Sequence, residues 1–168
     1  MLKIVHYPDP LLSERAKPVR RINRDLLSLI EEMFDAMYEG RGVGLAAPQI
    51  GQGIRLCVVN TTGEPHDEIA LVNPVLVEST GQATDDEGCL SVPGVRSSVT
   101  RAAHVKVRAY DADGKEIEIE ADGLEARALQ HEIDHLDGRL FFDLLGEAGR
   151  MTLRSRLKAL EEEYRKEK

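Results

Sequence analysis

Gln130–Gly138, QHEIDHLDG, is the stretch from which the rest of the chain can be read. His131 and His135 are four apart, and positions i and i+4 share one face of a helix, so both imidazoles can reach one metal ion. Glu132 lies beside that face, where it can touch a water on the ion. The arrangement is HExxH, two imidazole ligands and a general base, although a helix rich in charge can carry the pentad by chance. Working back, Asp122–Leu136 reads as the helix that presents it. Leu124, Ala128, His131 and His135 fall on an i, i+4, i+7, i+11 track, so the imidazoles extend an apolar face and the ion would sit in the interior. Arg127 shares that side. Its guanidinium must pair with a carboxylate, or else run its stem along the pocket and put its head in water. Asp137-Gly138 can end the helix, and Phe141, Phe142, Leu144 and Leu145 then anchor the chain to the core.

HExxH alone does not fix the reaction. The longer pattern HExxHxxGxxH fits up to Gly138 and then requires a ligand at position 141, which is Phe141. A downstream glutamate is another protease solution, for which Glu147 is an isolated candidate. Upstream, Asp85–Val92 reads DDEGCLSV, with Cys89 after three carboxylates. An acidic neighbourhood raises a free thiol's pKa and makes a poor cysteine nucleophile. A divalent cation reverses that logic and holds the sulfur as thiolate. Cys89 therefore reads as the third ligand, with a buried structural cysteine as the alternative. Two neutral imidazoles, one thiolate and an open fourth position make a catalytic layout, in which water at the open place reaches a pKa of roughly 7. Glu132 would take its proton and pass it to the leaving amine.

Gly40–Gly53, GRGVGLAAPQIGQG, holds five glycines in fourteen residues. No Lys-Ser/Thr follows them and the spacing fails the dinucleotide fingerprint, so neither nucleotide loop fits. Either this is a tight connection, or its small residues let a substrate or metal approach the backbone. Gln49 is then a surface glutamine or an amide donor to an oxyanion.

The remaining chain supplies elements. Residues 24–39 read as an amphipathic helix through Leu26, Leu29, Ile30, Met33, Phe34 and Met37, capped by Asn23 or Asp25 and ended by Gly40. Residues 54–60 alternate as a strand, with Cys57 a small buried hydrophobe. Residues 69–77 read as a strand broken at Asn73-Pro74, hence an edge strand or a bend. Residues 104–110 and 115–120 form a hairpin around Asp111-Ala-Asp-Gly114. Residues 149–168 read as a last helix with Met151, Leu153, Leu157 and Leu160 on its apolar side. From Arg150 on, seven Lys/Arg stand against four Asp/Glu in a chain of net charge −8. That helix is either a solvated surface or a contact for an anionic partner. The overall charge argues against sequence-specific nucleic-acid binding. No apolar run spans a membrane and no leader is apparent, so a cytoplasmic location is expected.

Three motifs together carry a resemblance. GVGLAAPQ (Gly42–Gln49), EGCLS (Glu87–Ser91) and QHEIDHLDG (Gln130–Gly138) resemble the signatures of peptide deformylase, and HYPDPLL near the N-terminus is similar to that family too. The resemblance spans nearly the whole chain. It implies removal of the N-formyl group from the initiator methionine of nascent peptides, with release of formate. It implies Cys89, His131 and His135 as ligands and Glu132 as base. Gln49 and the Leu90 backbone N–H would be the oxyanion donors, with Gly44 lending its backbone to the substrate. One divalent ion is implied, Fe(II) natively, with Zn(II) or others able to take its place. The methionine pocket would be lined by Leu124 and Ala128 with Val43 opposite. Arg127 departs from its apolar character, pointing to the pocket rim or relaxing selectivity. Arg96 would steady the substrate or pair with the acidic run Asp85–Glu87. The basic terminal helix would suit docking at the ribosome.

The expected fold is one α+β domain over residues 1–168. Mixed or antiparallel strands at 54–60, 69–77 and 104–120 pack around the central HExxH helix. Helices 24–39 and 149–168 lie outside, and Cys89 sits on a strand or turn facing the metal-bearing helix.

Overall fold

The computed structural model describes residues 2–168. Helix α1 (Arg24–Glu39) has the bounds that its apolar spacing predicts, and Asn23 caps it by accepting the Leu26 N–H at 3.0 Å. Strands β1 (Gly44–Ala46), β2 (Leu56–Val59) and β3 (Ile69–Thr80) follow, then β4 (Ala83–Cys89) and β5 (Val92–Arg101), then β6 (His104–Tyr110) and β7 (Glu116–Asp122). Helix α2 (Gly123–Leu136) and helix α3 (Glu147–Glu167) complete the chain.

Five strands form one antiparallel sheet in the order β1-β2-β3-β6-β7, and β4 and β5 form a separate antiparallel pair. The alternation of β2 serves two layers at once. Leu56 and Val58 face α1, where they meet Ile30, Met33 and Met37. Cys57 and Val59 face α2, where they meet Ala126, Leu129, Ile133 and Leu136. All four residues of β2 are buried. Each large apolar side chain so buried contributes on the order of 1.5–3 kcal/mol, which is what fixes α2 against the sheet.

Two sequence expectations need correction. Strand β3 is not an edge: it lies between β2 and β6 and runs on to Thr80, and of the two readings the bend at Asn73-Pro74 is the one that forms. The register shifts between Val72 and Val75, which frees the position where proline has no N–H. Asn73, at φ 53°, turns its amide to Val19 instead, accepting its N–H at 2.8 Å and donating to its carbonyl at 3.0 Å. Second, Met151 is 57% exposed, so α3 docks through buried Leu153 and Leu157 with Leu160 partly buried beside them. The β4–β5 hairpin is a strand pair where the sequence offers little alternation, and it delivers Cys89 at the end of β4 facing α2, as expected.

Helix α3 is tied to the N-terminal lead-in. The Tyr7 hydroxyl donates to Glu161 at 2.8 Å, and the Tyr164 hydroxyl donates to Asp9 at 3.3 Å. Burial and the Glu161 bond push the Tyr7 hydroxyl up to about 12 from its ordinary 10.0. Because the folded value is the higher one, this contribution to stability is complete below pH 10 and lost as pH rises toward 12. Tyr7→Phe should remove that alkaline component: the difference in thermal midpoint between wild type and variant should shrink from pH 9 to about 12. A difference that stays constant over that range would refute the assignment.

Candidate metal centre and substrate cleft

Helix α2 is buried nearly all round from Ala126 onward. One side meets the sheet and the other meets the β4–β5 hairpin; His131 and His135 point to the hairpin, and Glu132 lies between it and Gly44 of β1. There the Cys89 Sγ lies 3.3 Å from His135 Nε2, and His135 Nε2 lies 3.2 Å from His131 Nε2. All three donor atoms fall within 4.8 Å of one another. Two imidazole nitrogens and a sulfur converging on one point form a donor set suited to a divalent ion. Glu132 is 3% exposed and its Oε1 has no hydrogen-bond partner among the described residues; neither has His135 Nδ1. Burial pushes the Glu132 carboxyl up to about 7. An orphaned buried carboxylate beside three converging donors fits a site that is completed by an ion and water.

The orientation of His131 comes from Glu87. Its Oε1 lies 2.8 Å from His131 Nδ1, and a proton on Nδ1 leaves the Nε2 lone pair facing the cluster. Glu87 is itself clamped. Arg101 donates to it through Nε at 2.6 Å and through a terminal nitrogen at 2.9 Å, and also reaches Asp134 on α2 at 2.9 Å. Burial alone would raise the Glu87 carboxyl. Hydrogen bonds from His131 and Arg101 outweigh that and hold it at about 2.

Arg127 is the second clamp. Its guanidinium neither reaches the pocket rim nor enters water. It is 8% exposed and donates to Glu87, to the Val99 carbonyl at 2.9 Å and to the Ala83 carbonyl at 2.8 Å. The head is therefore consumed by α2–hairpin contacts, and only the rest of the side chain is left to wall the cleft. Of the acidic run, Asp86 pairs with Arg96 while Asp85 stays exposed.

Gln49 is 2% exposed, so it is not a surface residue. It lies on the short 3₁₀ turn Ala47–Ile50 that follows β1, with its Nε2 3.5 Å from Cys89 Sγ. The glycines upstream make room for the protein's own side chains. A Cβ on Gly40 or Gly42 would press on Leu90, and one on Gly44 would lie 2.5 Å from Glu132 Oε2. A cleft of about 600 Å³ runs from Val43 and Leu124 at its mouth past Ala128 and Arg127 to Cys89, His131 and Glu132. Gly44, Gln49 and Leu90 also line it. A larger groove of about 920 Å³, beside Arg15, Arg55 and Arg139, lies on the far side of α2. It includes none of the three donor residues or Glu132, so size is a poor guide here and the donor chemistry decides.

Sequence reading did not find Arg101, which belongs to no motif, and gave Glu87, the first residue of EGCLS, no role beyond its place in an acidic run. Its place directly before Gly-Cys, with a basic residue on the next strand of a hairpin, was the available signal.

The sequence model described as polypeptide deformylase matches residues 1–151. The chain belongs to the peptide deformylase family. The peptide deformylase of Chromobacterium violaceum is 44% identical over 163 residues, covering 97% of this chain and 98% of that protein. The peptide deformylase of Syntrophobacter fumaroxidans is 52% identical over 147 residues, 86% of each chain. Among solved structures, a plant peptide deformylase superposes with a TM-score of 0.95 at 43% identity, covering 99% of this chain and 92% of that one. A peptide deformylase from Legionella pneumophila gives 0.91 at 48% identity, covering 96% of both. The deformylase match thus includes both the β4–β5 hairpin and α2, the two elements that meet at the donor cluster.

Proposed function

We infer that this chain removes the N-formyl group from the N-terminal formylmethionine of newly synthesised polypeptides, with Cys89, His131 and His135 holding one divalent metal ion. The observation that carries the reading is the convergence of those three donors beside the unpartnered Glu132 carboxylate at the closed end of the cleft. An ion held there supplies a Lewis acid and lowers the pKa of water to roughly 7.

The chain's own residues do the rest. Glu132, buried and close to neutrality in its proton affinity, takes a proton from the attacking water and delivers it to the nitrogen of the departing amine. Gln49 Nε2 and the Leu90 backbone N–H donate to the oxygen of the formyl group as charge builds on it. The Gly44 backbone aligns the peptide. Val43, Leu124, Ala128 and the stem of Arg127 take the methionine side chain, a thioether that packs well on aliphatic walls. With the Arg127 guanidinium tied to Glu87, the pocket presents no free charge from that residue, which favours methionine selectivity over its relaxation.

Fe(II) is the proposed native ion, with Zn(II) and other divalent ions able to occupy the same donors. A thiolate ligand makes the site sensitive to oxidation. A cytoplasmic location suits this substrate, and among the described residues no helix is long and apolar enough to cross a membrane. Exposed Arg150, Arg154, Arg156 and Lys158 on α3 would meet ribosomal RNA. Arg154→Glu with Lys158→Glu should abolish co-sedimentation with ribosomes while leaving peptide turnover intact; unchanged co-sedimentation removes this partner.

The deciding experiment is an anaerobic assay of metal-loaded protein on formyl-Met-Ala-Ser. Formate release without backbone cleavage is expected. Cleavage of an unformylated peptide instead would make the chain a peptidase.

A further inference from the structure

The amide of Gln49 is held more tightly than a single catalytic contact requires. Its Oε1 accepts the Ala46 N–H at 2.9 Å, which settles which end of the amide is nitrogen. Its Nε2 donates to the Ser91 hydroxyl at 3.1 Å. Ser91 is 0% exposed, on the turn between β4 and β5, two residues beyond Cys89. The N-terminal lead-in braces both residues through the backbone. The Val5 N–H donates to the Gln49 carbonyl at 2.7 Å, and the Tyr7 N–H donates to the Ser91 carbonyl at 2.8 Å.

Terminal amide torsions are broad and roughly two-fold, so one bond to Ala46 leaves the amide plane free to rock. An amide nitrogen has two hydrogens. With one committed to Ser91, the plane is fixed and the other hydrogen has a single direction, toward Cys89 Sγ at 3.5 Å and the donor cluster. We propose that Ser91 is a positioning residue for deformylation: its hydroxyl oxygen fixes the Gln49 amide so that the remaining N–H points at the formyl oxygen. The proposal rests on the oxyanion role given to Gln49 above. Preorganised donors count because no reorganisation is left for the moment of reaction.

A double-mutant cycle separates this from ordinary packing. Ser91→Ala should lower kcat about tenfold, less than the loss of the donor itself, with KM changed by no more than about twofold. In a Gln49→Ala background the same change should cost nothing further in kcat, because the group it orients is gone. Ser91→Cys keeps the shape at a slightly larger volume but offers only a weak acceptor. It should show a loss that likewise vanishes without Gln49, and it carries the cycle if Ser91→Ala does not accumulate folded. Equal losses in both backgrounds, or no loss in wild type, overturn the proposal. If Gln49→Ala alone leaves kcat unchanged, the oxyanion role falls first and the proposal falls with it.

Discussion

Glu132→Gln should abolish turnover while leaving the metal in place. The glutamine has nearly the same shape and volume, and it leaves Cys89, His131 and His135 untouched, so the metal-to-protein ratio should equal that of wild type. What it cannot do is accept a proton. A positioned acid–base group is worth about 10²–10⁴ in rate. Glu132 is used twice in the proposed cycle, once as base and once as acid, so a loss near the upper end, about 10⁴-fold in kcat, is expected. Stability should not fall. The native carboxylate is 3% exposed with one oxygen unpartnered, and burying a neutral amide there is cheaper than burying a charge. The thermal midpoint of metal-free Glu132→Gln should therefore equal or exceed that of metal-free wild type. Retained turnover with retained metal would sink the assignment of Glu132 as base.

That expectation could be framed from sequence because a helix turns spacing into geometry. His131, Glu132 and His135 are neighbours on one helix, so their relation follows from 3.6 residues per turn. The bounds of α1 were legible for the same reason, since six apolar residues recur at three and four. Cys89 was reached by chemistry, as the thiol whose acidic surroundings make sense beside a cation. The strands that carry it were not legible. In β4 Glu87 is the one fully buried residue, and a charged residue in the core gives no period-two apolar signal. It is buried only because Arg101, Arg127 and His131, from β5 and α2, surround it. Those contacts are long-range, and no apolar period marks them. The same holds for Arg127: sequence offered a carboxylate or water, and only the fold shows that Glu87 waits 40 residues away. Pro74 misled for the opposite reason. A local rule against proline in central strands was correct about the lost N–H, and the bulge with the Asn73–Val19 pairing overrides its consequence.

Gly44→Ala should also be strongly damaging to turnover, although it adds a single methyl group. Nothing in the backbone forbids alanine: Gly44 is not among the glycines at positive φ, and in β1 it pairs with Val59 of β2. The obstacle is Glu132. A Cβ at position 44 would lie 2.5 Å from Oε2, 2.9 Å from Cδ and 3.0 Å from Cγ of that side chain. Rotating the carboxylate about its last bond relieves only the first of these contacts. Glu132 is buried on α2 and packed between sheet and hairpin, so the side chain must shift as a whole or β1 must back away. Either way the carboxylate and the cleft wall separate from their present alignment. A displacement of about 1 Å in a catalytic group is enough for about a 10²-fold loss, so kcat should fall by that order with metal content unchanged. Overpacking should also cost about 1–3 kcal/mol of stability. The role given to Gly44 above, lending its backbone to the substrate, adds a different forecast: a methyl group on the peptide-binding edge would by itself raise KM and spare kcat. The two separate again in a Glu132→Gln background. If Gly44 exists to make room for the base, Gly44→Ala should add almost nothing to kcat once the base is disabled. If it serves the substrate alone, its effect on KM should persist there undiminished.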